Sequence, residues 1–134
     1  MKRVPIGLSI GLAVAAALVL GACGGGGGKA SPPPSEVERF CASVREFNSS
    51  VVGLGEDSDP AELRRAADGL QRLADEAPAE IERSMQRVAD AGEFFAKNPG
   101  SVVPPDEGNA NTAAEREVVG YTEENCGVRL GNGT

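Results

Sequence analysis

The chain has 134 residues, with 20 acidic against 13 basic side chains, a formal net charge of −7 and no histidine. An acidic chain lacks the basic face that phosphate backbones require, which excludes nucleic acid as a partner. Without histidine there is no Ser-His or Cys-His nucleophile pair and no His-based zinc or haem site.

Lys2 and Arg3 precede an apolar run from Val4 to Leu20, and the small residues Gly21 and Ala22 follow, ahead of Cys23. That order is the order of a secretory signal peptide cut after small residues. An uncleaved membrane anchor is the alternative. Against it, the run of about 17 residues sits at the short limit for crossing a ~30 Å hydrocarbon core, and it contains Pro5, Gly7 and Gly11. An ordinary cleaved signal is the third reading. All three put the folded part outside the cytoplasm.

Leu20-Gly21-Ala22-Cys23 resembles the lipobox of bacterial lipoproteins. The resemblance implies that the Cys23 thiol is diacylglycerylated and that the signal is cleaved before it. The lipid then holds the protein on the extracytoplasmic face of the cell membrane. The expected organisation is a signal peptide over 1–22, the lipidated Cys23 and a flexible tether over 23–35, a helical bundle domain over 36–128 and a flexible tail over 129–134.

Removal of Met1–Ala22 leaves 112 residues with 11 basic and 20 acidic groups, a net charge of −9. Such a surface does not dock electrostatically onto anionic lipids, so attachment falls to the lipid chain. Arg outnumbers Lys ten to three, a skew of high-GC genomes that points to an actinobacterial source. Of the three cysteines, Cys41 and Cys126 remain as an even pair in an oxidising compartment. A disulfide between them is expected, with two free thiols as the alternative. Closing a loop of ~85 residues stabilises a fold by roughly 4–5 kcal/mol in the chain-entropy model.

Gly24 to Gly28, Lys29-Ala30-Ser31 and Pro32-Pro33-Pro34 form a low-complexity tether, flexible at its glycines and stiff at its prolines. The glycine run before Lys29 is not a phosphate loop. The first glycine of that pattern falls on Cys23, and Ala30 stands where Ser or Thr is needed. Ser35 is a good N-cap, and Val37, Phe40, Val44, Phe47 and Val51 recur at the 3-4 spacing of a helix stripe, ended by Gly53 and Gly55.

Asp59, Pro60 and Glu62 make a near capping box for a second helix, with Leu63, Ala66, Leu70, Leu73 and Ala77 on its apolar face. Pro78 interrupts it. A third helix is expected from Pro78, with Ile81, Met85, Val88 and Phe95 on its core stripe and Ala91 and Gly92 admitting a close neighbour. Asn98-Pro99-Gly100 stops it. A long link from about Pro99 to Asn109 follows, and a last helix is expected from Asn111, carrying Ala114, Val118, Tyr121 and Cys126 to a stop at Gly127. Leu130 to Thr134 reads as frayed.

Four amphipathic helices and no sustained alternating pattern give an all-α fold, a small bundle stapled from its first helix to the end of its last. Phe40-Cys41, Ala77-Pro78-Ala79-Glu80-Ile81 and Cys126-Gly127 resemble features of a group of small actinobacterial lipoproteins. That resemblance implies a helical, secreted domain and brings no catalytic residues with it.

Carboxylates are the remaining chemistry. Glu56, Asp57 and Asp59 cluster in the first interhelical link, but Ala61 and Glu62 break the EF-hand pattern, so a solvated capping loop is the reading. Glu123 and Glu124 are expected to face water, with pairing to arginines as the alternative. Asn48-Ser49-Ser50 and Asn132-Gly133-Thr134 match a glycosylation sequon that carries little meaning in a bacterial protein. Most of the five aromatic residues are needed inside; Phe94 is one step off the core stripe.

The functional expectation is a non-enzymatic, lipid-anchored interaction module without cofactor or metal. Its partner is another envelope component, a protein or the cell wall, and Val102, Val103, Pro104, Pro105 and Phe94 are its expected contact. The alternative is a carrier or sensor of a small apolar ligand, which a cavity between helices near Ala91 and Gly92 would support. An enzyme acting through carboxylates would need two acids converging in a cleft.

Overall fold

Helices begin where their first backbone donors find acceptors. The Glu38 N–H donates to Ser35 Oγ at 3.2 Å while the Ser35 N–H donates to Glu38 Oε2 at 2.7 Å, and this reciprocal cap opens α1 (Glu36–Ser50). Asp59 and Glu62 repeat the device for α2 (Pro60–Asp75), with Pro60 at the first helical position. The computed structural model describes residues 33–55 and 57–131. The expected signal peptide (1–22), Cys23 with the tether as far as Pro32, Glu56 and residues 132–134 lie outside them.

The other two helices start elsewhere than the sequence suggests. Residues 78–81 form a turn closed by Ile81 N–H to the Pro78 carbonyl at 2.9 Å, so α3 is Glu82–Lys97 rather than a helix from Pro78. The last helix, α4 (Pro105–Cys126), begins six residues before Asn111. Pro105 is preset for a first helical position, and Asp106 and Glu107 face the positive helix end. Gly108 and Asn109, poor helix formers, are carried along because the helix packs on α3. The expected long loop shrinks to residues 98–104.

Four helices and no strands are found among the described residues. They close a ring in chain order. α2 packs most extensively on α3, α3 on α4, and α1 on both α2 and α4. Each neighbouring pair also carries a polar tie: Ser43 to Glu76, Gln71 to Gln86, Ser84 to Glu117, and Arg45 to the Cys126 carbonyl. The three ion pairs among the described residues are exposed and lie between residues at most six apart in sequence, so they do little to hold the helices together.

Two close helix contacts rest on missing side chains. Between α2 and α3, a Cβ at Gly92 would stand 2.6 Å from Leu70 Cδ1, and between α1 and α2, one at Gly69 would stand 2.8 Å from Phe47 Cδ2. The expectation that Gly92 admits a neighbour holds. Phe95 does not sit on the core stripe: it is 43% exposed and packs edge-to-face on Phe94, centroids 5.5 Å apart. The inward positions of α3 are Met85, Ala89 and Ala96. Small residues there bring α2 so near that a phenyl ring is displaced to the flank.

The core is concentrated toward one end. Phe40, Val44, Leu73, Met85 and Val118 are buried to 2% exposure or less. They come from the first part of α1, the last part of α2, the first part of α3 and the last part of α4, which an up-down ring brings level. Each such side chain is worth about 1.5–3 kcal/mol of transfer free energy. Cys41 and Cys126 are disulfide-bonded in this layer with Cα atoms 5.1 Å apart, as expected from the sequence.

The tail expected over 129–134 is held to α1 as far as Gly131. Gly127, at φ 67°, turns the chain back after α4. Asn48 then donates from Nδ2 to the Arg129 carbonyl at 2.8 Å and accepts from the Gly131 N–H at 2.9 Å, and Leu130 packs on the core. The buried Asn48 is therefore a clamp with both ends of its amide used.

The disulfide closes a sequence separation of 85 residues. Replacing both cysteines by Ala is expected to lower unfolding free energy by about 4–5 kcal/mol. Urea titration of the two forms measures this, and equal midpoints contradict it.

Candidate functional site

The end of the bundle opposite the disulfide is less tightly filled. There α1 finishes with Phe47 and Val51, and α2 contributes Ala66 and Leu70. Val88, Ala91 and Phe95 come from α3, and Gly108, Asn111, Thr112, Glu115, Val118 and Val119 from α4. Leu54, Val103, Leu130 and Gly131 complete the rim from three non-helical segments. These residues enclose an open pocket of about 520 Å³. That lies within the 300–1,000 Å³ typical of small-molecule sites. Its walls are mostly aliphatic and aromatic, and every helix supplies part of them.

The pocket follows from local choices already described. Alanine at 66 and 91 leaves volume that Leu or Phe would fill, and Leu70 leans onto Gly92 rather than across the opening. Because Phe95 stands on the flank of α3, its ring forms a wall. The clamp at Asn48 fixes Leu130 and Gly131 at the rim.

A larger groove of about 960 Å³ runs between α3 and α4. Arg83, Arg87, Asp90, Glu107 and Glu117 line it, charges of both signs that water solvates well. It offers a ligand little apolar area. Val103, Ala91 and Asn111 belong to both surfaces and form the crest between them.

The residues expected to contact a partner are divided by the structure. Val102 is 91% exposed, Phe94 is exposed, and Pro104 and Pro105 lie on the surface at the start of α4. Val103 is half-buried and turns into the pocket rim. Cys23 lies outside the described residues. In the first link, Asp59 spends its carboxylate as a cap, accepting from the Ala61 N–H at 2.7 Å. No cluster of three or more potential metal ligands occurs among the described residues. None of the helices there is long and apolar enough to cross a membrane.

Asn111, Thr112 and Glu115 were not legible as pocket residues. Asn111 reads as a cap, and the other two occupy what looks like a solvated face. The one available signal is that α4 is the least amphipathic of the four helices, as expected when its inward stripe changes from apolar to polar partway along.

Comparison of the chain with protein-family models, with curated proteins and with solved structures finds no match in any of the three.

Two side chains titrate away from their ordinary values, both at the disulfide end. Tyr121 lies edge-on to Phe40, centroids 6.2 Å apart, and burial, followed by the charge of Glu80, raises its phenol above the ordinary 10.0. The backbone and hydroxyl of Ser35 hold Glu38 below its ordinary 4.5. The folded protein keeps the Tyr121 proton to higher pH than the unfolded chain does. That contribution to stability is complete below the ordinary value of 10.0 and disappears as pH rises through the raised one. Glu38 acts in the opposite sense, with its contribution complete above 4.5 and lost as pH falls through the lowered value. Urea midpoints measured across pH are expected to drop at both limits. Tyr121→Phe should flatten the alkaline limb alone, and Glu38→Gln the acid limb alone.

Proposed function

We propose that this protein is a lipid-anchored, extracytoplasmic binding protein, a carrier or sensor that holds a small apolar molecule at the cell surface. The observation that supports the binding reading is the pocket of about 520 Å³ walled by all four helices. Burying apolar ligand surface there supplies about 25 cal/mol per Å² removed from water. The disulfide and the rim clamp keep that cavity in shape before the ligand arrives, which reduces the ordering cost of binding. The signal peptide and lipobox-like Leu20-Gly21-Ala22-Cys23 support the anchoring, and the glycine- and proline-rich tether gives the domain reach from the membrane.

A second reading has its own observation. Phe94 and Phe95, packed edge-to-face, and Val102 in the α3–α4 link expose apolar surface, which suits contact with another envelope protein. Val103 and Phe95 also form the pocket rim, so a partner docking there would sense whether the pocket is filled.

The test uses the Cys23→Ala form and the uncharged fluorophore N-phenyl-1-naphthylamine. One saturable site is expected, with affinity falling at least about tenfold in Ala91→Phe, where a phenyl ring takes up the ligand volume. Fluorescence that does not saturate, or that is unchanged by Ala91→Phe, refutes the pocket as a binding site. The anchoring stands or falls separately. Unsubstituted protein is expected to sediment with membranes and the Cys23→Ala form to be released.

A further inference from the structure

The pocket is not uniform along its length. α4 presents it with Gly108, then Asn111 and Thr112, then Glu115, then Val118 and Val119, steps of three and four that keep one helix face inward. The first part of that stripe is polar and the last part apolar. Leu70, Val88 and Phe47 from the other helices line the same space. A molecule filling this space therefore meets hydrocarbon at one end and hydrogen-bonding groups at the other.

Glu115 is the one charged residue among those lining the pocket. It makes no ion pair among the described residues, where the acidic partners of the bridges are Glu62, Glu93 and Glu123. The neighbouring Thr112 hydroxyl is already spent on the Gly108 carbonyl at 2.9 Å. The polar end thus offers a free carboxylate and the Asn111 amide. Glu115 is exposed, so a charged group beside it stays partly hydrated while its apolar part enters the pocket. Phe95 and Phe47 line the same space and add aromatic surface that favours a cation over an anion. A carboxylate or phosphate ligand would instead meet a like charge in a protein of net charge −7.

From this arrangement, and resting on the pocket reading above, we infer that the ligand is a cationic amphiphile. It is a compact organic amine or quaternary ammonium whose head pairs with Glu115 and whose apolar body lies against Leu70, Val88 and Val118. Anionic and neutral molecules of the same shape enter the pocket without that pairing and bind more weakly.

The test compares octylammonium, 1-octanol and octanoate by calorimetry on the Cys23→Ala form and on the same form carrying Glu115→Gln. Octylammonium is expected to bind about tenfold more tightly than octanoate, with octanol between, a gap of about 1.4 kcal/mol. Glu115→Gln should bring the three within about twofold. Octanoate binding as tightly as octylammonium, or a gap that persists in Glu115→Gln, overturns the cationic assignment and leaves an apolar pocket. Failure of all three to bind overturns the pocket reading together with it.

Discussion

The bond between Cys41 and Cys126 is the constraint on which the rest of the fold depends. It ties the second turn of α1 to the last residue of α4 and so closes the helix ring covalently. α1 needs the tie. α2 packs more extensively on α3 than α1 does on either neighbour, and α1 reaches the bundle mainly through Phe40, Val44 and Phe47. Its hold on the bundle comes from those side chains, the polar ties of Ser43, Arg45 and Asn48, and the disulfide. A domain of this size buries too little surface to be generous with stability, so a cross-link spanning most of it matters.

Fixing one end leaves the other free to differ. The fully buried large side chains gather around the disulfide, while at the far end Ala66, Ala91, Gly108 and polar residues of α4 leave space beside Leu70 and Phe95. Open volume between helices costs dispersion contacts that a packed core would make. A bundle with a strong layer at one end tolerates that loss at the other. The strand of chain after Gly127 contributes to both: it starts beside the disulfide and ends, through Asn48, at the rim of the pocket. Local opening is expected to be easier at the pocket end, where fewer buried apolar contacts resist it.

The charge distribution fits a protein that meets water on nearly every side. The ion pairs are local and exposed, and every hydrogen-bonding atom of the buried side chains among the described residues has a partner. In our reading, the acidic surface keeps the domain from lying flat on anionic lipid, and the glycine-rich tether lets it stand away. The pocket is then presented to molecules outside the membrane.

The sequence by itself determined the local structure. The capping box at Ser35 and Glu38, the one at Asp59 and Glu62, the stripe from Val37 to Val51 and the stop at Gly127 are all short-range patterns, and the helices follow them. With Cys23 set aside by its lipobox-like setting, Cys41 and Cys126 were left as the expected pair, and they are bonded. Tertiary structure decided what depends on neighbours. Whether Phe95 or Ala96 faces inward is set by how close α2 comes, and the spacing of apolar residues carries no measure of that distance. α4 starts at Pro105 because packing on α3 offsets the poor propensity of Gly108 and Asn109. Asn48 clamps the C-terminal segment across more than 80 residues of sequence, a contact with no local trace. The pocket is the extreme case, since a cavity is a statement about absent volume. Ala66, Ala91 and Gly108 read as ordinary small residues until the fold brings them to the same end of the bundle.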